Sequence, residues 1–193
     1  MSASDSTTHS ALIVSTSEPF NSLVEKSLRG FITVEYRKSA AAARQYLVER
    51  YYDLVLINAP LPDENGEELA LDVTEQGSAS VLLVVPRDSY EEVMERVTDY
   101  GVMVLPRPSP KGQIRKGIRF LTADQDRIHR LERKLVKAQE KLEEQRLVTR
   151  AKFLLVEKKK MSEDEAHRFI GKLAMDNGIS RGAAARRLLE DAT

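Results

Sequence analysis

The chain contains no cysteine. That absence excludes a disulfide framework, a thiolate-held metal site and a cysteine nucleophile. Histidine is scarce as well. His9, His129 and His167 stand alone in the sequence, so no histidine-based metal site is expected. No run of about 18 apolar residues is present to cross a bilayer. The stretch Met1 to Ser10 is polar and lacks the basic start and apolar centre of a signal peptide, so the expected compartment is the cytoplasm. No acid pair, nucleophile–base constellation or phosphate-cradling glycine loop appears, so neither an enzyme nor a cofactor is expected.

What is there is ample for a core. The chain has 193 residues, of which 41% are hydrophobic and 31% charged. The charged share exceeds what an average globular domain carries and implies long solvated surfaces. The formal net charge is zero, but the charges are segregated. Residues 1–123 hold 13 basic and 17 acidic side chains, and residues 124–193 hold 17 basic and 13 acidic ones. Between Arg146 and Arg187 there are 11 basic and 5 acidic residues, so a polyanionic partner is expected at the C-terminal end.

Residues 11–121 alternate short apolar runs with helical patterns. The runs are Ala11 to Val14, Ile32 to Val34, Asp53 to Ile57, Val81 to Val85 and Val102 to Leu105. Being short, continuous and rich in Val, Ile and Leu, they fit strands buried on both faces of a parallel sheet. Candidate helices lie near 19–29, 39–50, 65–76, 89–99 and 110–121, the second with Ser39 as N-cap. Such alternation predicts an α/β fold with a doubly wound, five-stranded parallel sheet, whose ligand site lies beyond the C-terminal strand ends.

The stretch from Asp53 through Asn58, Pro62 and Gly66 resembles the third strand and following loop of response-regulator receiver domains, a flavodoxin-like fold. The resemblance puts Asn58 at the phosphoryl-accepting aspartate. It puts Arg107-Pro108 at the family's Lys-Pro, whose lysine contacts the phosphoryl group. The family's acidic pair after the first strand is replaced by Ser15-Thr16-Ser17, and the hydroxyl residue after the fourth strand falls near Val85-Pro86. Phosphotransfer needs a carboxylate nucleophile and Mg²⁺ on hard oxygen ligands. An amide at position 58 cannot form an acyl phosphate, and Arg107 lacks the compact ammonium of lysine. The implied domain is therefore a pseudo-receiver with no phosphorylation site. Val104, Leu105, Ile114, Ile118 and Leu121 would form part of a face on which receivers commonly pair, but most of them read better as core.

From Asp124 glycine and proline vanish until Gly171. Ile128, Leu131, Leu135, Ala138 and Leu142 follow the 3-4-3-4 spacing of a coiled-coil seam. Two heptads make a short coil, so a homodimer is expected to use the receiver-like domain as well. After Leu142 the register breaks, because Gln145 and Thr149 fall on the next seam positions. The apolar stripe Leu147, Val148, Ala151, Leu154 and Leu155 then serves a different core. Ser162 and Glu165 form a capping box for a second helix whose apolar face is Ala166, Phe169, Ile170, Leu173 and Ala174. Gly178 suits the end of that helix and Ser180 the start of a third, with Ala184, Leu188 and Leu189 inward.

This segment resembles the ANTAR family, the RNA-binding domain of AmiR/NasR-type antiterminators. The resemblance is carried by Ala151-Lys152, Leu154-Leu155, Met161 to His167, Leu173 to Met175 and Ala184-Ala185. It departs at His167, where the family has Tyr, and at Gly171-Lys172, where arginine is more typical. The implied organisation is a disordered N-terminus over 1–10, a pseudo-receiver over 11–122, a coiled-coil linker helix over 123–146 and a three-helix RNA-binding domain over 147–191. The implied function is antitermination: a dimer binds paired stem-loops in leader RNA and prevents a terminator hairpin from forming. Lys152, Lys159, Lys160, Arg168, Lys172, Arg181 and Arg186 are candidates for phosphate contacts, and His167 for base stacking. Control is expected from a regulatory protein or ligand. Two other functions fit less well. A DNA-binding regulator would need base-reading side chains on the last helix, which begins Arg181-Gly-Ala-Ala-Ala. A dimeric adaptor would not need the C-terminal basic residues.

Overall fold

The Val-, Ile- and Leu-rich runs pair into one parallel sheet: β1 (Ser10–Val14), β2 (Thr33–Arg37), β3 (Leu54–Asn58), β4 (Ser80–Pro86) and β5 (Val102–Arg107). The computed structural model describes residues 9–77 and 79–191. Strand order is β2-β1-β3-β4-β5, doubly wound with its reversal between β1 and β3. Leu12, Ile13, Leu56, Ile57, Leu82 and Leu83 on the inner strands are shut off from water, as a sheet covered on both faces requires. The edge strand β2 differs from the expected run over 32–34. It starts at Thr33, extends to Arg37 and leaves Ile32 exposed. With a partner on one side only, it needs fewer buried residues.

Helices α1 (Glu18–Glu25), α2 (Ala40–Glu49), α3 (Glu67–Gln76) and α4 (Tyr90–Val97) connect the strands, and α5 (Lys111–Lys159) follows β5. Ala43, Leu69 and Val93 pack into one core layer, and Phe20, Val24, Ile114 and Ile118 into the other. Ser17 and Ser39 cap α1 and α2 through their side-chain oxygens. Gly66, ahead of α3, has φ of +85°, and a Cβ there would stand 3.0 Å from Ile57 Cγ2. Both its conformation and its space favour glycine.

Val104, Ile114, Ile118 and Leu121 are buried in the core, with Leu105 packed against it, which agrees with their reading as core and leaves no pairing face there. Of the segment 1–10 expected to be disordered, residues 1–8 lie outside the described residues, but His9 is buried and Ser10 opens β1. Beyond Leu121, α5 stays tied to the sheet by polar contacts. Gln125 Nε2 donates to Ser80 Oγ at 3.0 Å. His129 Nε2 lies 2.7 Å from Asp53 Oδ1, and His9 Nε2 lies 3.3 Å from Asp126 Oδ1.

The chain divides into two compact units, one ending at His129 and one beginning at Arg130. In the second unit every side chain from Arg130 to Glu143 is exposed. The last turns of α5 then pack with α6 (Glu163–Asn177) and α7 (Arg181–Glu190). Their core is Ala151, Leu155, Ala166, Ile170, Ala174, Ala184 and Ala185. So many alanines let the helices approach closely, while Leu155 and Ile170 supply the larger buried surfaces, about 2 kcal/mol each. Ser162 and Glu165 form the capping box, Gly178 closes α6 at φ of +63°, and Ser180 caps α7.

Candidate nucleic-acid interface

In a doubly wound sheet the C-terminal strand ends are the first place to look for chemistry. Asn58 ends β3 there and is nearly buried. Its Nδ2 donates to Ser15 Oγ at 3.2 Å, and Arg107 Nη1 donates to its Oδ1 at 3.4 Å. Ser15 Oγ also accepts the Ser17 backbone N–H at 3.0 Å. The residues that replace the receiver's acids therefore satisfy one another. Val84 lies opposite Asn58 on β4, and Val85-Pro86 follow it without a hydroxyl. Asp63, in the loop after β3, accepts the Ala40 and Ala41 backbone N–H groups at the start of α2. Those two bonds hold its carboxyl below the usual carboxylate range. Among the described residues no group of three or more His, Asp or Glu could hold a metal ion.

The second unit is arranged differently. Ala166, Ile170 and Ala174 turn one face of α6 into the bundle, which leaves His167, Arg168, Gly171, Lys172 and Met175 on its outer side. That side and the start of α7 enclose an open pocket of about 580 Å³, lined by these five residues with Ala174, Gly178, Ile179 and Arg181. No acidic residue is in the lining. The Arg181 guanidinium crosses α6 at Gly171, 3.9 Å from where a Cβ on that glycine would stand. A methyl group at 171 would meet it in ordinary van der Waals contact. The pocket joins three permanent cations to a small apolar floor, the combination that a phosphate backbone with an unstacked base requires.

Position 181 is held by a contact from another helix. Glu144 on α5 accepts the Gly182 backbone N–H at 2.9 Å, placing a carboxylate at the electropositive start of α7. A Cβ on Gly182 would stand 2.9 Å from Glu144 Cγ, so the contact requires glycine. Gly182, Ala184 and Ala185 are buried, which turns the first turns of α7 into the bundle.

The eight sequence candidates thus separate. His167, Arg168, Lys172 and Arg181 converge on the pocket. Lys152 is ion-paired with Glu163 at the start of α6, and this bond holds the Glu163 carboxyl below its usual range. Lys159 lies over the Phe169 ring, 5.2 Å from its centroid. Lys160 has φ of +57° in the link between α5 and α6. Arg186 lines another groove, whose other walls include Glu140, Glu143, Glu144 and Glu190. Met175, 82% exposed, also lines the pocket and is not among the sequence candidates. Its position seven after Arg168 and eight after His167 puts it on their face of the helix, a signal the sequence did carry.

Fold and site together define a class: a receiver-like α/β domain joined by a long helix to a small basic helical bundle. Residues 136–189 match the ANTAR domain family. The transcriptional regulatory protein PdtaR of Mycobacterium tuberculosis is 30% identical over 139 residues, covering 72% of this chain and 67% of that protein. Among solved structures, the signal receiver domain of an HD domain-containing protein from Pseudomonas fluorescens Pf-5 superposes with a TM-score of 0.58 at 21% identity, over 67% of this chain and 97% of that one. A CheY-like receiver domain from Methanospirillum hungatei JF-1 gives 0.55 at 18%, over 63% and 98%. These structural likenesses bear on the fold alone. The chain belongs to the ANTAR family of transcriptional regulators with an N-terminal receiver-like domain. None of its helices, among the described residues, is long and apolar enough to cross a membrane.

Proposed function

We propose that the protein is an RNA-binding antiterminator that works as a homodimer and without phosphorylation. The observation that carries this reading is the α6–α7 pocket, where His167, Arg168, Lys172 and Arg181 gather around an apolar floor with no acid in the lining. Arg168, Lys172 and Arg181 engage phosphates of a leader hairpin, and His167 stacks on a loop base. The first turn of α7 turns only Arg181 and Ala183 outward, which leaves few side chains to read base edges in a DNA major groove. The Leu131, Leu135 and Leu142 face of α5 pairs two copies, so that two hairpins are held at once and a terminator hairpin cannot form. The Ser15–Asn58–Arg107 network leaves the receiver-like domain with no acid to accept a phosphoryl group, and its role is to respond to a protein or ligand.

The test is binding of the full chain to a two-hairpin leader RNA across a salt series, beside duplex DNA of the same sequence. Tight binding that depends on loop sequence and weakens on removal of the Arg168 charge supports the proposal. Equal or tighter binding to DNA makes the protein a DNA-binding regulator, and binding to neither makes it an adaptor.

A further inference from the structure

The spacing of seam residues ends at Leu142 only when it is counted in sevens. At 3.6 residues per turn, about 18 residues complete five turns of a straight helix. Counted that way, Phe153 lies directly above Leu135, and Val156 directly above Ala138. Leu131, Leu142 and Phe153 are also spaced by eleven, a three-turn repeat that drifts by only about 20° each time. Phe153 is 70% exposed, and Leu131, Leu135, Leu142 and Val156 are between 38% and 59% exposed. All five fall on one stripe about 60° wide, with Thr149 within it and Gln145 and Arg146 beside it on either edge.

This stripe is the back of the bundle. Ala151 and Leu155 face α6 and α7 from the opposite side of the same helix and are buried. Nothing in the bundle core needs Phe153, and a phenylalanine left in water on a charged helix forgoes a large burial gain. We infer that the α5 surface from Leu131 to Val156, including Phe153 and Val156, is a single interface for a second copy of this chain. The inference rests on the dimer of the proposed function and extends it into the RNA-binding bundle.

Length supports this occupant. From Leu131 to Leu142 the stripe is about 18 Å long, less than the three to four heptads that a coiled coil ordinarily sustains. From Leu131 to Val156 it is about 39 Å, which meets that need. Pairing through the back of α5 leaves the pocket on α6 and α7 uncovered in both copies. Each copy can then hold one hairpin while the paired helices keep the two pockets at a fixed separation.

Sedimentation of the full chain over a concentration series tests the inference, using Phe153→Glu, Val156→Glu and Leu135→Glu. Val136→Glu is the control, since Val136 is also exposed, at 51%, but lies off the stripe. Phe153→Glu and Val156→Glu are each expected to weaken self-association at least about tenfold, or ~1.4 kcal/mol. Val136→Glu and the conservative Phe153→Leu should leave it within about twofold of wild type. Helix content at low temperature, read by far-UV circular dichroism, should be unchanged throughout, because these side chains face away from the bundle core. If Leu135→Glu dissociates the dimer and Phe153→Glu does not, the seam ends at Leu142 and the inference falls while the dimer stands. If Phe153→Glu weakens RNA binding with self-association intact, Phe153 belongs to the RNA surface and the inference falls. A wild-type chain that remains monomeric at all concentrations overturns both.

Discussion

At the C-terminal rim of the sheet, Asn58, Ser15 and Arg107 are bound to one another. On the outer face of α6, Arg168, Lys172 and Arg181 converge on an open pocket whose lining holds no carboxylate. Both are places where side chains of mixed origin meet at element ends. In the first, Asn58 and Ser15 are buried and are satisfied by each other and by the exposed Arg107, so an incoming anion would have to break existing hydrogen bonds. In the second, the cations are exposed, and an incoming phosphate would displace only water and counterions. A locus closed on itself supports structure, and an open one with unbalanced charge supports binding.

The largest effect should come from removing the imbalance. Replacing Arg168, Lys172 and Arg181 together with Gln is expected to lower RNA affinity by roughly 100-fold or more. The slope of log affinity against log salt should flatten by about two to three, as expected for the loss of three phosphate contacts. Replacing Arg186 alone should do far less, since its groove also contains Glu140, Glu143 and Glu190. Fluorescence anisotropy across a salt series reads both. If Arg186→Gln matched the triple variant, the open pocket would not be the binding site.

Next comes the frame that positions Arg181. Gly182→Ala pushes a methyl group against Glu144, and the Glu144 backbone Cα lies only 3.5 Å from that methyl position. Overpacking of this kind costs about 1–3 kcal/mol. The bundle's melting temperature should fall, and RNA affinity should fall with it as α7 moves. Glu144→Gln keeps the shape and removes the charge at the helix start, so its cost should be smaller, about 0.5 kcal/mol. Equal losses in the two variants would mean that charge, rather than the close approach, sets the geometry.

Much of this was legible in the sequence, for identifiable reasons. Inner strands and capped helices depend on local pattern, so β1, β3, β4, α2 and α6 fall close to where apolar runs, Ser39 and Ser162 put them. Edge character does not show in composition, so the apolar run 32–34 points to a shorter β2 with Ile32 inside it, whereas the strand runs from Thr33 to Arg37 with Ile32 exposed. Basic residues near the bundle were all visible, but which of them share a face depends on tertiary neighbours. Lys152 and Arg186 look like the other basic candidates in sequence, and only tertiary structure puts Glu163 beside the first and glutamates of α5 beside the second. The requirement for Gly182 was hidden because its cause, Glu144, lies 38 residues away.

A smaller effect tests whether the sheet's other end is also closed on itself. Asp53 accepts from the Ser10 backbone N–H and hydroxyl and meets His129 on α5. Burial alone would raise its carboxyl, but those partners outweigh burial and hold it below the usual range. The sign follows: its stabilisation is full above the ordinary carboxylate pKa of about 4 and fades as pH falls through the lower folded value. Asp53→Asn should therefore melt a few degrees below wild type near neutral pH, with the difference vanishing in strong acid. A difference that persisted unchanged at low pH would assign the loss to packing rather than to the charge.

The smallest expected change is the most direct probe of the closed rim. Asn58→Asp restores a carboxylate at the acceptor position, within reach of Arg107 and the Ser15 hydroxyl. If the missing nucleophile were the only obstacle, acetyl phosphate with Mg²⁺ would label this variant. Labelling also requires a cation held against the leaving group, and Ser15, Thr16 and Ser17 supply no carboxylate to hold it. The new acid is instead expected to pair with Arg107 and remain unlabelled in intact-mass spectra, with RNA affinity unchanged. Labelling of Asn58→Asp alone would mean that the rim is one substitution away from an active receiver, and that its hydrogen bonds are easily exchanged for a phosphoryl group. No labelling until acids are also placed at positions 15 and 16 would assign the closure to the whole rim, as the network through Ser15 implies.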